Sequence, residues 1–342
     1  MEVHVRASER QGADDSGEGH LAGAGGASFD VVTMGRVGVD IYPEQVGVGL
    51  DRVRSFGKYL GGSPTNVAVA TARYGWRSAV ITRTGQDPFG RFIHRALRDY
   101  GVDDRFVSAV PDLNTPVTFC EIFPPDDFPL YFYREPTAPD LEIHPDELDR
   151  DAIRAARVLW VTVTGLCREP SRSATLEALR TRGRRGTTVL DLDYRPMFWE
   201  SRAQARAWVA EALPHATVAV GNLDEWETAV GRGAPDAAAD AAKELGIELA
   251  VVKQGPEGVL AVDGTGAVRV PPVPVDVVNG LGAGDAFGGA LCHGLLSGWP
   301  SERTMRFANA AGAIVASRLA CSDAMPVVSE VETKLQEAGY DG

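Results

Sequence analysis

The chain has 342 residues, of which 44% are hydrophobic and 24% charged, enough apolar material for one large core or two smaller ones. Its formal net charge of −13 argues against non-specific binding to nucleic acid, which needs a basic surface to neutralise phosphates. The sequence contains no run of about 18 apolar residues. We therefore expect neither a nucleic-acid partner nor a membrane-spanning helix.

The amino-terminal segment differs from the rest of the chain. Residues 1–28 contain six Gly and seven charged side chains but no aromatic residue, a composition that predicts a disordered tail. This segment also lacks the apolar stretch of a signal peptide. The four cysteines (Cys120, Cys167, Cys292 and Cys321) are widely spaced, which predicts reduced thiols rather than disulfides or a zinc site. Both features favour a cytoplasmic protein.

The predicted elements begin with a strand at Phe29–Met34. A helix should follow the next Gly-Gly-Ser-Pro segment, with Ser63 as its N-cap. A strand at Ser78–Thr82 and a helix that runs from Asp87 to about Tyr100 come next. This order is typical of a parallel sheet with crossover helices.

Two β-rich stretches interrupt the alternation. Residues 116–134 contain the runs VTFCEIF and LYFYR on either side of PPDDFP, which predicts a hairpin. Residues 41–60 contain no convincing helix. We expect these lid segments, about 41–60 and 114–137, to form a small sheet beside the main domain.

The alternation then resumes. Apolar runs separated by helical stretches predict buried parallel strands at 158–163, 187–192, 217–220 and 249–253, followed by strands at 258–262 and 268–275. The predicted fold class is therefore α/β, with a mostly parallel central sheet covered by helices on both faces.

The strongest candidate site is the segment Gly280-Leu281-Gly282-Ala283-Gly284-Asp285. Small residues at the start of a helix let backbone N–H groups approach an anion such as a phosphate. Asp285 beside them is placed to accept a proton from an attacking hydroxyl, and the helix dipole should keep it ionised. The alternative is an ordinary β–α turn that Asp285 merely caps. The segment matches neither a Walker A loop nor a dinucleotide fingerprint.

A second candidate is the segment Gly61-Gly62-Ser63-Pro64-Thr65-Asn66. Two glycines before a helix allow the backbone to approach a ligand closely, and the Asn66 amide suits a sugar hydroxyl. By itself this segment could equally be only a turn and a cap.

Together these motifs resemble a known family. GGSPTNVAVATARYG and, far downstream, NGLGAGDAFGGAL are similar to the two signatures of the PfkB, or ribokinase-like, carbohydrate kinases. Four further motifs of that family occur between them in the same order, GRVGVD with Gly35 and Asp40, GxDxFG with Gly85, Asp87, Phe89 and Gly90, NxxE with Asn222 and Glu225, and KxGxxG with Lys253, Gly255 and Gly258. The resemblance covers about residues 29–328.

The resemblance implies a three-layer α/β/α domain over about residues 29–330, with a small sheet that acts as a lid and forms a homodimer contact in many relatives. It implies that Asp285 is the catalytic base and that the backbone of Gly282, Ala283 and Gly284 is the anion hole. The implied cofactors are ATP and Mg²⁺, the metal being held through water by Asn222 and Glu225. The remaining implied ligands are Asp40, Gly61, Gly62 and Asn66 for the sugar, and Asn222, Glu225, Lys253, Gly255, Gly258 and Asn309 for ATP.

The sequence departs from the family at Asn279-Gly280, where relatives often have Asp-Thr. Dependence on a monovalent cation therefore stays open.

Two arginines are clues to the acceptor. Arg134 in YFYREP and Arg195 in DLDYRPMFW present planar forks that suit a carboxylate, although an ion pair of Arg195 with Asp191 or Asp193 is the alternative. DLDYRP also resembles a segment of kinases that act on keto-deoxy sugar acids, which favours a sugar acid over a neutral sugar.

Three other functions remain to be weighed. A 2-keto-3-deoxygluconate kinase or a fructokinase of the same family is the main alternative. A nicotinamide-dependent oxidoreductase would need GxGxxG after the first strand, where the chain has GRVGVD. A sugar sensor without activity would not need the intact GAGD.

Overall fold

The protein is described here by a computed structural model, which covers residues 28–340. The predicted tail at 1–28 therefore lies outside the described residues except for Ser28. The strands are β1 (Val31–Met34), β2 (Gly38–Pro43), β3 (Phe56–Gly61), β4 (Ser78–Gly85), β5 (Val102–Asp103), β6 (Val107–Val110), β7 (Val117–Cys120), β8 (Leu130–Tyr133), β9 (Val158–Thr162), β10 (Thr187–Asp191), β11 (Val218–Asn222), β12 (Leu249–Lys253), β13 (Val259–Asp263) and β14 (Gly266–Val270). The helices are α1 (Ser63–Arg73), α2 (Pro88–Asp99), α3 (Arg150–Ala155), α4 (Ser171–Arg182), α5 (Arg202–Ala212), α6 (Leu223–Val230), α7 (Pro235–Glu244), α8 (Ala283–Leu296), α9 (Ser301–Ala316) and α10 (Val328–Glu337).

The central sheet has ten strands in the order β14-β13-β12-β11-β10-β9-β1-β4-β5, with β6 paired to β4. All neighbours from β12 to β5 are parallel, and so is the β4–β6 pair, whereas β13 and β14 form an antiparallel edge. The strand order reverses between β1 and β9. In open α/β sheets, ligands bind beyond the carboxyl ends of the strands at such a switch point.

Helices cover both faces of this sheet. Val31 and Val32 are adjacent in β1 but belong to different buried clusters, because successive side chains of a strand point to opposite faces. The Val31 cluster includes residues of α1, α8 and α9, and the Val32 cluster includes residues of α3 to α7. The predicted three-layer α/β/α fold with a mostly parallel sheet is confirmed.

A separate four-stranded sheet has the order β3-β2-β7-β8, in which only β2 and β7 are parallel. The two β-rich stretches therefore pair with each other, as the sequence predicted. One face of this sheet packs Tyr42 and Cys120 against Cys321, which follows α9.

Two local predictions need correction. Gly62, not Ser63, is the N-cap of α1, and the Ser63 hydroxyl donates to Asp191 instead. The last predicted strand stops at Val270 rather than at residue 275, because Pro271 and Pro272 have no N–H groups for the ladder. The predicted start of the second helix is correct, since Asp87 is the N-cap of α2 and its carboxylate accepts from the Gly90 N–H at 2.7 Å.

Each helix within residues 28–340 is too short or too polar to cross a bilayer. All four cysteines lie in this part of the chain, and each is a free thiol.

A buried cation stabilises the edge of the fold near α3. The Arg182 side chain at the end of α4 is only 1% exposed. Its terminal nitrogens donate to the carbonyls of Ile153, Arg154, Ala156, Arg157 and Thr187. The guanidinium thus satisfies the carboxyl end of α3, whose last carbonyls have no partner within the helix.

We expect Arg182→Ala to lower the free energy of unfolding by about 3 kcal/mol or more, because several buried carbonyls lose their donor. Urea denaturation of the purified variant measures this loss. Arg185→Ala is the matched control, since Arg185 is exposed three residues away and should cost under about 0.5 kcal/mol. Equal losses for the two variants would contradict the role of Arg182.

Candidate active site

A small cavity lies between the main domain and the small sheet. Its volume is about 60 Å³, and the start of α8 lines it with Leu281, Gly282 and Asp285. The start of α1 contributes Gly62, Ser63 and Asn66. The other lining residues come from the small sheet and from loops, namely Arg36, Asp40, Tyr42, Thr118, Leu130, Phe132, Arg195 and Cys321. Most of the residues predicted to touch a sugar therefore meet in one place.

A larger groove lies beside this cavity. It has a volume of about 570 Å³ and is lined by the start of α2, the 114–117 segment and residues 132–137. Its carboxylate Asp87 is already engaged by the backbone and hydroxyl of Thr115, at 2.7 and 2.9 Å. The smaller cavity is therefore the better candidate for the reaction, because it contains Asp285.

The loop before α8 has the form expected of an anion hole. Gly282 has a φ of 82°, in the left-handed region that favours glycine, and a Cβ there would lie 2.6 Å from Cys321 Sγ. The first N–H groups of α8, which begins at Ala283, have no carbonyl partner within the helix, and the Ala283 N–H makes a long contact of 3.4 Å with the Gly280 carbonyl. The Lys253 ammonium is close by, 3.4 Å from the position of a Cβ on Gly284. Backbone donors and a cation thus converge where a phosphate could bind.

Asp285 is fixed by a residue distant in sequence. The Asn66 Nδ2 donates to Asp285 Oδ2 at 2.7 Å, and Asn66 Oδ1 lies 2.6 Å from Ser322 Oγ. Burial raises the pKa of Asp285, and the hydrogen bond from Asn66 counteracts part of that rise. The helix dipole was expected to keep this carboxyl ionised, whereas burial shifts its pKa in the opposite direction. A raised pKa makes Asp285 a stronger base.

The predicted sugar ligands Asp40 and Gly61 lie close together on the β2–β3 pair, although Gly61 is opposite Gly38 in the register. Asp40 accepts from the Tyr42 hydroxyl at 3.2 Å, and burial raises its pKa to about 6. A Cβ on Gly61 would lie 2.2 Å from Asp40 Oδ1, so only glycine leaves room for this carboxylate. Gly62 has a φ of 104°, and a Cβ on it would lie 2.4 Å from the Arg36 carbonyl.

The two arginines predicted to bind a carboxylate lie in different places. Arg195 lines the cavity, and its Nη2 lies 2.8 Å from Asp193 Oδ1. Arg134 is absent from the cavity lining and makes a two-bond pair with the buried Asp140, at 2.7 and 3.2 Å. Both arginines therefore form ion pairs. Only Arg195 also lines the small cavity.

A third arginine takes the place expected of Arg134. Arg36 lines the cavity, and its Nη2 lies 3.6 Å from the second oxygen of Asp193. Burial would raise the pKa of Asp193, but the charges of Arg195 and Arg36 hold it below its usual value. Sequence reasoning missed Arg36, although it stands between Gly35 and Asp40 in a motif already singled out.

The residues predicted to bind ATP lie at the ends of β11 and β12 and beyond. Asn222 and Glu225 form a capping box on α6, in which each side chain accepts from the other's backbone N–H, at 2.9 and 2.7 Å. Lys253 ends β12 and is half-buried, and the nearby carboxylates of Glu225 and Asp191 raise its pKa against the effect of partial burial.

The remaining three predicted ATP ligands have structural roles as well. Gly255 and Gly258 have φ values of 58° and 86° in the turn between β12 and β13. The Asn309 amide donates to the Pro271 carbonyl at 2.9 Å. None of these contacts tests a role in nucleotide binding.

The departure from the family at Asn279 has a structural consequence. The Asn279 side chain is fully buried, accepts from the Leu281 N–H at 3.0 Å and donates to the Leu319 carbonyl at 2.7 Å. It therefore joins the loop before α8 to the segment that carries Cys321. Within residues 28–340, no group of three or more His, Cys, Asp or Glu side chains could hold a metal by itself.

Comparisons with known proteins agree with this geometry. A model of the pfkB family of carbohydrate kinases matches residues 28–327. A 5-dehydro-2-deoxygluconokinase of Shouchella clausii is 34% identical over 319 residues, which cover 91% of this chain and 97% of the relative. One of Geobacillus kaustophilus is 33% identical over 90% of this chain and 94% of the relative.

Solved structures share the fold. A fructokinase with bound ATP from Xylella fastidiosa has a TM-score of 0.80 at 23% identity, with 91% of this chain and 99% of that chain covered. An aminoimidazole riboside kinase from Salmonella enterica, complexed with aminoimidazole riboside and an ATP analogue, has a TM-score of 0.75 at 26% identity, with 89% and 99% covered. This chain belongs to the pfkB family of carbohydrate kinases. It is an enzyme that phosphorylates a sugar-type acceptor, as the sequence predicted.

We expect Gly61→Ala to raise the KM for the acceptor about 10- to 100-fold while the KM for ATP stays nearly unchanged. The added methyl group would displace the Asp40 carboxylate, and a displacement of 1 Å can have an effect of this size. Initial-rate kinetics with each substrate varied in turn measure the two constants. Gly264→Ala is the control, because a Cβ there meets nothing within 4 Å. An unchanged acceptor KM in Gly61→Ala would contradict a role for Asp40 in sugar binding.

Proposed function

We propose that this kinase transfers the γ-phosphoryl group of ATP to the terminal hydroxyl of 5-dehydro-2-deoxy-D-gluconate, a step of myo-inositol breakdown. The observation that carries this proposal is the small cavity in which Asp285 and Arg195 occur together. Asp285 suits a hydroxyl that must lose a proton, and Arg195 suits a carboxylate. Similarity over about nine-tenths of the chain to kinases with this substrate in their names supports the choice of sugar acid.

On the acceptor side, Asp285 takes the proton of the terminal hydroxyl. The reacting hydroxyl must lie within hydrogen-bond distance of the Asp285 carboxylate, whose Oδ2 already accepts from Asn66. Asp40 accepts hydrogen bonds from hydroxyls further along the sugar, and Gly61 leaves the space in which it does so. Burial keeps Asp285 basic enough for a proton that leaves late in the reaction.

On the donor side, the residues present fit the phosphates of a nucleotide. The tight turn at Gly282 leaves a cradle that any side chain would fill, and the Lys253 ammonium lies beside it. The N–H groups of Gly282, Ala283 and Gly284 stabilise the negative charge that spreads over the transferred group. Mg²⁺ bound to ATP supplies additional charge neutralisation, and Asn222 and Glu225 would hold it through water.

Three kinds of acceptor are candidates, and turnover measurements distinguish between them. The test is ADP release from Mg-ATP with 5-dehydro-2-deoxygluconate, 2-keto-3-deoxygluconate, fructose and ribose as acceptors. We expect the highest kcat/KM with the first compound. A clear preference for 2-keto-3-deoxygluconate would replace the substrate with another sugar acid. A preference for fructose or ribose would contradict Arg195 as a carboxylate ligand.

We expect Asp285→Asn to lower kcat by about 10²- to 10⁴-fold while the acceptor still binds, because only the base is lost and the amide keeps the shape of the site. Single-turnover kinetics measure the chemical step, and calorimetry measures acceptor binding. A catalytically inactive sugar sensor would show no turnover in either form of the protein. Unchanged turnover in Asp285→Asn would exclude Asp285 as the base.

The small sheet also fits a role as a lid. Thr118, Leu130 and Phe132 of β7 and β8 line the cavity, whose volume of about 60 Å³ is well below that of usual ligand pockets, about 300–1,000 Å³. A sugar acid therefore needs this sheet to move when it enters.

The outer face of the same sheet suits a second copy of the chain. Phe119 makes edge-on contacts with Phe56 and Tyr133, with ring centroids 5.7 and 5.5 Å apart. Phe56, Tyr131 and Tyr133 are 39%, 43% and 65% exposed. A homodimer would bury these aromatic rings, which water otherwise contacts.

We expect Tyr133→Asp to shift the protein from dimer toward monomer, because a carboxylate at the centre of an apolar interface loses its hydration. Sedimentation velocity at several protein concentrations measures the mass. Leu245→Asp is the control, since Leu245 is 41% exposed at the end of α7, away from the small sheet. A monomeric unmodified protein, or a Tyr133→Asp variant that stays dimeric, would contradict this interface.

A further inference from the structure

Two guanidinium groups share one carboxylate at the wall of the cavity. Arg195 and Arg36 approach opposite oxygens of Asp193, at 2.8 and 3.6 Å. Asp193 is 3% exposed, and the side chains of Arg36 and Arg195 are 13% and 34% exposed. The two positive charges thus meet Asp193 in a place that water reaches poorly, and the carboxyl groups of Asp40 and Asp285 also lie near Arg36.

Each arginine has a donor that Asp193 does not use. Both contact Asp193 through Nη2, and the Nε atoms of both are buried without a hydrogen-bond partner within residues 28–340. A guanidinium has five N–H donors and can bind a carboxylate with two parallel hydrogen bonds. A buried polar group without a partner is costly, so two such donors on the side chains that line one cavity favour a ligand that supplies acceptors.

Arg36 is also held in a defined orientation. Its Cζ lies 5.7 Å from the centre of the Phe132 ring, which belongs to the small sheet. Its carbonyl contacts the hydroxyl of Thr65 in α1 at 3.3 Å. The backbone of Arg36 is thus held by the main domain, and its guanidinium lies over a ring of the small sheet on a wall of the cavity that contains Asp285.

We propose that Arg36 is a second ligand for the carboxylate of the acceptor, so that the enzyme recognises a sugar acid with two guanidinium groups held on Asp193. This proposal rests on the proposed function, since it assigns the specificity of the same site. Arg36 is a specificity-determining residue in this account, and Asp193 positions it. An alternative assignment for Arg36, stabilisation of the transferred phosphoryl group, makes a different prediction.

The experiment compares an acid with its neutral counterpart. The acceptors are 5-dehydro-2-deoxygluconate and the corresponding carboxamide, which keeps the terminal hydroxyl and loses the charge. We expect Arg36→Gln to lower kcat/KM for the acid about 10- to 100-fold more than for the carboxamide, the range of a charge-assisted hydrogen bond. Arg36→Lys keeps the charge without the planar guanidinium. Its selective loss of kcat/KM for the acid should be smaller than that of Arg36→Gln but still measurable.

The outcomes separate the two claims. Equal losses with acid and carboxamide would overturn the role of Arg36 in specificity and indicate a role in phosphoryl transfer. Equal rates of the unmodified enzyme with both acceptors would overturn the proposed sugar-acid substrate itself. Arg77→Gln is the control. It removes one positive charge at the amino end of β4, where Arg77 pairs with Asp30 at 4.0 Å, and should leave the acid-to-carboxamide ratio of kcat/KM unchanged.

Folding of the Arg36 variants is checked independently. Urea denaturation should give a midpoint close to that of the unmodified protein, because Arg195 remains paired with Asp193. If Arg36→Gln is unstable, the ratio is read from Arg36→Lys, where an unchanged ratio would overturn the proposal.

Discussion

The Asp285 carboxylate, half-buried at the start of α8 and fixed by Asn66, is the constraint on which the site depends. A carboxylate in water has a pKa near 4 and is a weak base, whereas burial raises its pKa. The hydrogen bond from Asn66 limits this rise and sets the direction of the carboxylate. Asn66 lies in α1 and Asp285 in α8, so the packing of these two helices positions the base.

Each charged group around Asp285 lies close to groups of the opposite charge. Asp193 faces Arg36 and Arg195, and Lys253 faces Glu225 and Asp191. Burial raises the pKa of Asp191, so this carboxyl carries less negative charge at neutral pH than an exposed Asp would. The positive groups fall into two sets, one near the anion hole and one on the wall of the sugar cavity. This separation suits a reaction that joins an anionic donor to an acidic acceptor.

Much of the fold was predictable because its signals are local. Apolar runs such as Leu249–Lys253 marked buried strands, and the lack of helical spacing in residues 41–60 marked the small sheet. Gly282 and Asp285 were found because the GAGD loop combines backbone freedom and a carboxylate within four residues. The Asn66–Asp285 contact spans 219 positions and could not be read from spacing.

The errors have equally physical reasons. Ser63 has the composition of an N-cap, but tertiary packing gives its hydroxyl to Asp191. Arg134 pairs with the buried Asp140 and lines the larger groove, so its role as a carboxylate ligand stays a prediction. Residue type predicted the chemistry of a guanidinium in the site. Only the fold decides which arginine lines the cavity, and there Arg36 accompanies Arg195.

The most direct test of this account is the structure of the enzyme with the sugar acid bound in the absence of ATP. The account predicts the terminal hydroxyl within about 2.6–3.2 Å of an Asp285 oxygen, with the carboxylate at the opposite end of the sugar against Arg195. A sugar acid bound in the larger groove beside Asp87, or one whose carboxylate faces Asp285, would contradict it.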